Sequence, residues 1–268
     1  KPMSCPGAIL YYKNKSHSYK EFPLRVAELG LVHRNELSGT LHGLMRVRQF
    51  TQDDAHIFIT KEMLKEELKN VIKMAVKMLN EFSFKDISFS VSIRSEEKKA
   101  KYLGDDENWI WAQNNLESAL FELGYDYEIE EGEAKFYGPS VDIHIKDSLG
   151  RKWQCSTVQL DFNLPQRFSL EYVNNKGEKD IPIMLHRTLL GSLERFMGVL
   201  LEHLEGNLPL WLSPVQCKII PVSDIHDEYS QSIFEKLEKS NIRCEIINNG
   251  ESFSKRIRNS IISKAPYI

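Results

Sequence analysis

The sequence predicts an α+β fold, in which an antiparallel sheet flanked by helices is followed by a smaller α/β domain with a parallel sheet. Several short strand patterns follow one another between Tyr127 and Phe162, and strands joined by such short turns pair antiparallel. After Asn207-Leu208-Pro209 the order becomes strand, helix, strand, helix, which is typical of a parallel sheet. We expect this second, truncated domain to begin near Ser213.

Hydrophobic periodicity assigns the remaining elements in chain order. Apolar residues recur at helical spacing behind a Thr60 cap, and they alternate from Ile87 to Ile93 as in a half-buried strand. The other predictions are a loop over 94–106, a helix over 107–123 ended by Gly124, a turn over 147–150, a long helix over 187–205, strands over 215–222 and 243–247, and helices over 225–237 and 253–263.

Composition limits the class of protein. The chain has 268 residues, of which 41% are hydrophobic and 27% charged, as in ordinary soluble globular proteins. Its net charge of -3 gives no overall attraction to nucleic acid, so RNA binding would need local basic patches. No apolar run approaches the roughly 20 residues of a membrane helix, and no signal peptide is visible. The cysteines lack a disulfide spacing, which favours a reducing, cytoplasmic location.

The strongest functional signal lies between Val32 and Phe58. Arg34 precedes a small polar turn at 38–40, and the chain returns on an alternating run through Phe50, which predicts a hairpin. Arg34 offers a planar fork of donors that suits a phosphate or a carboxylate. Phe50 offers a face on which a purine can stack. The hairpin is therefore expected to bind an anionic, aromatic ligand.

Polar residues continue the same strand. Gln52, Asp54 and His56 alternate, so all three leave one face of the strand. A polar and potentially metal-binding trio beside a phosphate-binding arginine is what an ATP-dependent activating enzyme needs.

Four blocks of residues carry a resemblance that spans nearly the whole chain in order. They are K-P-M-S-C-P-G at Lys1–Gly7, R-N-E through R-V-R-x-F-T-Q-D-D-A-H-I-F within 34–58, W-Q-C-S-T-V-Q-L-D-F at 153–162, and M-L-H-R-T-L-L-G-S-L-E-R-F-M-G at 184–198. The second and fourth resemble the second and third signature motifs of class II aminoacyl-tRNA synthetases, in the form carried by threonyl-tRNA synthetases. The resemblance implies a class II synthetase catalytic domain over 1–210 and the N-terminal part of an anticodon-binding domain over 213–268.

The resemblance also implies a zinc site. The family's ligands correspond here to Cys5, His56 and His186, which we expect to converge on one ion. Their sequence spacing alone would not identify them, because buried cysteine and hydrogen-bonded histidine are common alternatives. One thiolate and two imidazoles with an open fourth position suit a substrate-binding zinc. That metal would take the amino group and hydroxyl of threonine, and valine lacks the hydroxyl.

For ATP, with magnesium as co-substrate, the resemblance puts Arg34 on the α-phosphate and Arg195 on the γ-phosphate. These two are the catalytic candidates, because fixed cations stabilise a transition state without reorganising. By residue type alone, a solvated or salt-bridged arginine is the common alternative. The ATP-binding candidates are Arg34, Glu36, Arg46, Val47, Phe50, Gln154, Thr157, Ser192 and Arg195.

The candidates for binding the amino-acid substrate are Met3, Gln52, Asp54, Tyr137 and Gln159. By type alone, Tyr137 and Gln159 could equally be core or surface residues of a strand. Four positions depart from the family pattern without touching a predicted ligand, and they leave open reduced activity or altered inhibitor sensitivity. They are Ser4 in place of Asn, Ala8 in place of His, Ser140 in place of Lys and Ser156 in place of Gly.

The resemblance thus implies a threonine–tRNA ligase that acts on threonine, ATP and tRNA(Thr) and is homodimeric in its full-length form, and we expect no membrane association. We expect a piece of a longer protein, with any editing activity supplied upstream or by another protein. One alternative is a paralogous class II synthetase for another small amino acid, which would not need the zinc ligands as a set. Another is a non-catalytic synthetase-like RNA-binding or regulatory protein, which would not need Arg34 and Arg195. The basic segment Lys255–Arg258 either touches RNA or is a solvated helix face.

Overall fold

The computed structural model describes all residues from Lys1 to Ile268 and contains two compact units, Lys1–Val199 and Leu200–Ile268. The elements of the chain, in order, are α1 (Cys5–Lys13), β1 (Leu24–His33), β2 (Gln49–Ile59), α2 (Leu64–Glu81), β3 (Ile87–Ile93), α3 (Asp106–Leu123), β4 (Tyr127–Glu131), β5 (Ser140–Lys146), β6 (Lys152–Asp161), α4 (Leu164–Arg167), β7 (Tyr172–Val173), β8 (Lys179–Asp180), β9 (Ile183–Ser192), α5 (Leu193–His203), β10 (Cys217–Ile219), α6 (Asp227–Lys239), β11 (Cys244–Ile246) and α7 (Phe253–Ile262).

The larger unit is built on a seven-stranded sheet in the order β1-β2-β9-β6-β5-β3-β4. Neighbouring strands pair antiparallel except β3 and β4, which pair parallel. The exception follows from α3, which connects these two strands. Because the helix carries the chain back to the end of the sheet where β3 began, β4 runs in the same direction as β3. The predicted antiparallel sheet with flanking helices is confirmed.

Helices α2 and α3 pack against each other and against the sheet. The buried stripe of α2 includes Leu68, Ile72 and Leu79, at the spacing that places residues on one helix face. The predicted Thr60 cap is wrong, because α2 starts at Leu64 and no side chain caps it. Gly124 ends α3 as predicted, with a φ of 73° that glycine adopts without strain.

The long helix predicted over 187–205 is wrong in its first part. Strand β9 runs to Ser192, and only then does α5 begin. The apolar run misled the assignment because β9 lies between β2 and β6 and is mostly buried along both faces, so it shows no clean alternation. The carboxylate of Asp53 accepts hydrogen bonds from the backbone amides of Leu189, Leu190 and Gly191 at 2.8, 3.0 and 2.9 Å, which fixes this end of the strand.

The smaller unit contains a parallel pair, in which Cys217 of β10 lies beside Cys244 of β11. The predicted parallel sheet is confirmed, with shorter strands than the sequence suggested. In α7, Arg256 is only 4% exposed and donates to the carbonyl of Pro221 at 2.7 Å. Arg256 is therefore a structural residue, neither a solvated group nor one that could reach RNA. None of the helices is both long and apolar enough to cross a membrane.

Candidate active site

The register of the sheet brings distant residues into neighbouring rows. His56 of β2 lies opposite His186 of β9, which lies opposite Gln159 of β6. In the next row, Asp54 lies opposite Thr188. Since directly paired residues on adjacent strands share a face, one face of the central sheet carries both histidines and the neighbouring polar groups.

The predicted metal ligands meet at the edge of this face. Cys5 starts α1, and its thiol sulfur, one ring nitrogen of His56 and one ring nitrogen of His186 lie within 4.8 Å of one another. The Cys5 Sγ lies 3.4 Å from the His186 Nδ1. The His186 Nε2 lies 2.8 Å from a carboxylate oxygen of Asp161, an arrangement that orients metal-binding histidines in proteins. The His56 Nε2 is buried with no hydrogen-bond partner.

The electrostatics of the two histidines differ. Burial lowers the pKa of His56 to about 3, and the nearby His186 adds to this shift, so the His56 ring is neutral and keeps a lone pair. Burial alone would also lower the pKa of His186, but hydrogen bonds with Asp161 and Cys5 outweigh it and raise the pKa to about 10. The pocket therefore favours a positive charge between Asp161 and Cys5. A thiol and two imidazoles, of which the His56 ring has an orphaned nitrogen, fit a zinc ion.

A first cavity of about 330 Å³, here named the histidine cavity, lies beside these ligands and is lined in part by Cys5 and His186. The Tyr137 hydroxyl donates to the Gln159 side-chain carbonyl across its wall. Burial raises the pKa of Asp54 to about 6, although the charge of His186 opposes the shift. The lining includes every residue predicted to bind the amino-acid substrate, namely Met3, Gln52, Asp54, Tyr137 and Gln159.

A second cavity of about 260 Å³, here named the arginine cavity, adjoins the first. The Arg34 guanidinium lies 5.2 Å from the centroid of the Phe50 ring. The Arg195 Nε donates to the Met45 carbonyl at 2.7 Å, which ties α5 to the hairpin loop. The lining includes every residue predicted to bind ATP, namely Arg34, Glu36, Arg46, Val47, Phe50, Gln154, Thr157, Ser192 and Arg195. Guanidinium groups held in this way suit a polyphosphate.

The two cavities share part of their lining, and this shared part is here named the junction. Sequence reasoning missed Lys135 and Thr188, which belong to it. Thr188 lies two residues after His186, so strand alternation places both on one face. The sequence pattern predicts a helix over this segment, which hides that relation. The junction consists of Arg34, Gln52, Lys135, Thr157, Gln159 and Thr188.

The four departures from the family pattern lie beneath the site rather than in it. None of them lines either cavity. The Ser140 hydroxyl donates to an Asp142 carboxylate oxygen at 3.1 Å, and the Ser156 hydroxyl donates to the Leu189 carbonyl. Ser140 and Ser156 therefore take part in hydrogen bonding behind the lining. All four are buried, namely Ser4, Ala8, Ser140 and Ser156.

Comparison with known proteins identifies the family. Residues 1–204 match the tRNA synthetase class II core domain (G, H, P, S and T). The chain belongs to this class II synthetase family. Residues 216–268 match the anticodon binding domain, so the class II core is followed in the chain by a second known module.

Curated relatives at about 50% identity are named threonine–tRNA ligases. The chain is 51% identical over its whole length to a threonine–tRNA ligase of Carboxydothermus hydrogenoformans and 50% identical to one of Clostridium tetani. It spans 42% and 41% of the length of these relatives. A solved structure of threonyl-tRNA synthetase from Cryptosporidium parvum, described as its RNA binding domain, aligns with a TM-score of 0.92 and 39% identity, covering 98% of this chain and 65% of that one.

A more distant structure extends the fold comparison. Prolyl-tRNA synthetase from Cryptosporidium parvum aligns with a TM-score of 0.68 at 18% identity, covering 99% of this chain and 49% of that one. At this identity the likeness concerns the fold alone. It agrees with the antiparallel sheet and the small parallel-sheet unit described above.

Proposed function

We propose that the chain is the core of a threonine–tRNA ligase, which activates threonine with ATP and transfers it to tRNA(Thr). The observation that carries the proposal is the histidine cavity, with Cys5, His56 and His186 beside it, opening onto the arginine cavity. The names of relatives at 51% and 50% identity support threonine and tRNA as substrates. We assign the catalytic domain to 1–210 and the first part of the anticodon-binding domain to 213–268. For the full-length protein we propose a homodimer.

In this proposal Cys5, His56 and His186 hold a zinc ion. Bound there, zinc supplies a Lewis-acid centre that the amino and hydroxyl groups of threonine can both coordinate. The chain prepares the ligands: burial keeps His56 neutral, and Asp161 holds the His186 ring by its Nε2 so that its Nδ1 points towards Cys5.

The remaining lining of the histidine cavity orients threonine. Asp54 offers a buried carboxylate that would accept a hydrogen bond from the metal-bound amino group and balance the positive charge of the ion, which would favour the ionised form of Asp54. The Tyr137–Gln159 hydrogen bond presents polar atoms to the substrate hydroxyl. A hydrophobic side chain of the same size would offer no polar partner to the Asp54 carboxylate or to the Tyr137 oxygen, which costs binding free energy.

Activation takes place at the junction. A carboxylate oxygen of threonine bonds to the α-phosphorus while the bond from that phosphorus to its bridging oxygen breaks. Pyrophosphate leaves with the electron pair, and magnesium accompanies ATP. Arg34, at the junction, stabilises the charge on the α-phosphate, and Arg195 binds the γ-phosphate. Phe50 provides the face for the adenine ring.

Transfer to tRNA completes the reaction. A hydroxyl of the terminal ribose attacks the carbonyl of the adenylate, and AMP leaves. The anticodon-binding match over 216–268 supports tRNA as the acceptor.

The test is amino-acid-dependent exchange of pyrophosphate into ATP, measured together with metal content. We expect exchange with threonine and one zinc per chain. Exchange with another small amino acid instead would support the paralogous synthetase. Absence of exchange with every amino acid, in full-length protein that binds zinc, would support the non-catalytic alternative.

A further inference from the structure

The loop between β4 and β5 is anchored on both sides of Lys135. The backbone amide of Ala134 donates to the Ile93 carbonyl at 3.3 Å. The carbonyl of Phe136 accepts from the Leu103 amide at 2.7 Å. Backbone bonds to two separate segments therefore fix the position from which the Lys135 side chain departs.

The following turn is pressed against β6. A Cβ on Gly138 would lie 1.8 Å from the Leu160 carbonyl oxygen, so only glycine allows this approach. The Tyr137 carbonyl accepts from the Asn163 side-chain amide at 2.8 Å. This packing keeps the loop at the edge of both cavities.

Lys135 is the residue of this loop that lines both cavities. Its side chain is exposed and makes no ion pair or hydrogen bond. By contrast, Arg46 is paired with Glu36 at 2.8 Å. Of the junction residues, only Arg34 and Lys135 carry a charge, and the others are glutamine or threonine. The charge of the junction is therefore positive.

We propose that Lys135 is a second cation for the activation step, acting beside Arg34 on the amino-acid carboxylate and the α-phosphate. This proposal rests on the proposed function, which brings those two anions together at the junction. Their repulsion opposes the reaction, and a positive charge near both lowers that cost. An ammonium group has three donors that rotate freely, so it can contact both anions, while the planar fork of Arg34 suits the phosphate.

The experiment compares ligands that differ by one anionic group. Binding of AMP, adenosine, threonine and threoninamide is measured by calorimetry on the wild-type protein and on Lys135→Met. We expect the affinities for AMP and threonine to fall by about 3–10-fold, as for loss of one charged contact in an open cleft, and those for adenosine and threoninamide to stay unchanged. The rate of pyrophosphate exchange should fall by about 10–100-fold.

Two further variants sharpen the test. Lys135→Arg keeps the charge and should retain most of the AMP affinity. Lys101→Met removes an exposed lysine that lines neither cavity and should change nothing. Equal losses for AMP and adenosine in Lys135→Met would mean a structural role and would overturn the proposal.

Failure of the two proposals can be told apart. An active wild-type protein whose exchange and AMP affinity are unchanged in Lys135→Met would refute the role of Lys135 and leave the proposed function intact. A wild-type protein without amino-acid-dependent exchange would refute the proposed function, and with it the role of Lys135.

Discussion

Arg34 is held at the junction by its neighbours rather than by an ion pair. Its Nε donates weakly to the Pro2 carbonyl at 3.5 Å, and its guanidinium lies over Phe50. Arg34→Ala should therefore lower threonine-dependent exchange by about 10²–10³-fold, as for removal of a preorganised donor to a developing charge. Zinc content should stay the same, because Arg34 is not a candidate ligand.

Controls for this variant lie outside the cavities. Arg167→Ala removes an exposed arginine that lines neither cavity and should keep wild-type exchange. Near-normal exchange in Arg34→Ala would show that this guanidinium only supports the hairpin.

Asp161 is a positioning residue for the proposed metal ligand. One of its oxygens contacts the His186 Nε2, and the other accepts from the backbone amides of Asn163 and Leu164. Asp161→Asn should weaken zinc affinity by about 10–100-fold, the usual effect of losing a carboxylate behind a histidine ligand. Zinc affinity is measured by competition with a chelator, and thermal unfolding of the same samples reports any structural loss. Unchanged affinity in a folded variant would contradict this role.

At the residue scale, the sequence alone predicted which side chains share one face of a strand. The alternation of Gln52, Asp54 and His56 gave their common face correctly, because side-chain direction in a strand follows from sequence order alone. Asp161 and Lys135 carried no such signal. The contact of Asp161 with His186 joins two different strands, and the place of Lys135 beside both cavities depends on how its loop packs against other segments.

At the element scale, the turn between β5 and β6 depends on one carboxylate. Asp147 accepts from the backbone amides of Leu149 and Arg151 and from the Trp153 indole at 3.0, 2.9 and 2.9 Å. Burial alone would raise the pKa of Asp147, but the hydrogen bonds of Trp153 and Arg151 outweigh it and lower the pKa from 3.8 to about 2. The folded state therefore prefers the ionised form more strongly than the unfolded state does.

This shift gives a pH-dependent prediction. The pKa of Asp147 is lower in the folded state than in the unfolded state. Its contribution to stability is therefore complete above the unfolded pKa of 3.8 and is lost as the pH falls to about 2. Asp147→Asn should lower the free energy of unfolding by about 1–2 kcal/mol at pH 7. The difference from wild type should shrink towards zero at the acid end. Urea unfolding at pH 7, 4 and 2.5 measures it, with Asp126→Asn, an exposed carboxylate, as control. A difference that is independent of pH would contradict the assignment.

The β9–α5 boundary shows why element boundaries were harder to predict than element types. A buried strand and a buried helix both read as apolar runs, and β9 has neighbours on both edges. What ends the strand is the carboxylate of Asp53, which accepts three successive backbone amides of β9. That contact joins residues that are distant in the sequence, so no local pattern could reveal it.

At the scale of the whole molecule, sheet topology assembles the site. Strands β2, β9 and β6 are neighbours although much of the chain separates them, and their register puts His56, His186 and Gln159 in one row. Composition and periodicity predicted the two-part architecture, but neither indicates the order of the strands within the sheet. Cys5, His56 and His186, the proposed metal ligands, could therefore be brought together from the sequence only through resemblance to a family.

The polar lining of the histidine cavity leads to a prediction about amino-acid selection. Valine matches threonine in shape but would place a methyl group against polar atoms such as the buried Asp54 carboxylate and the partly buried Tyr137–Gln159 pair. A site built around a bound hydroxyl rejects such an analogue by about 10⁴–10⁵-fold, whereas an apolar pocket reaches only about 10²-fold. Serine keeps both polar groups and loses one methyl, at a cost of about 1–3 kcal/mol. We therefore expect kcat/KM for exchange in the order threonine, then serine, then valine at the limit of detection. Activation of valine as readily as serine would mean that the hydroxyl is not read in this cavity.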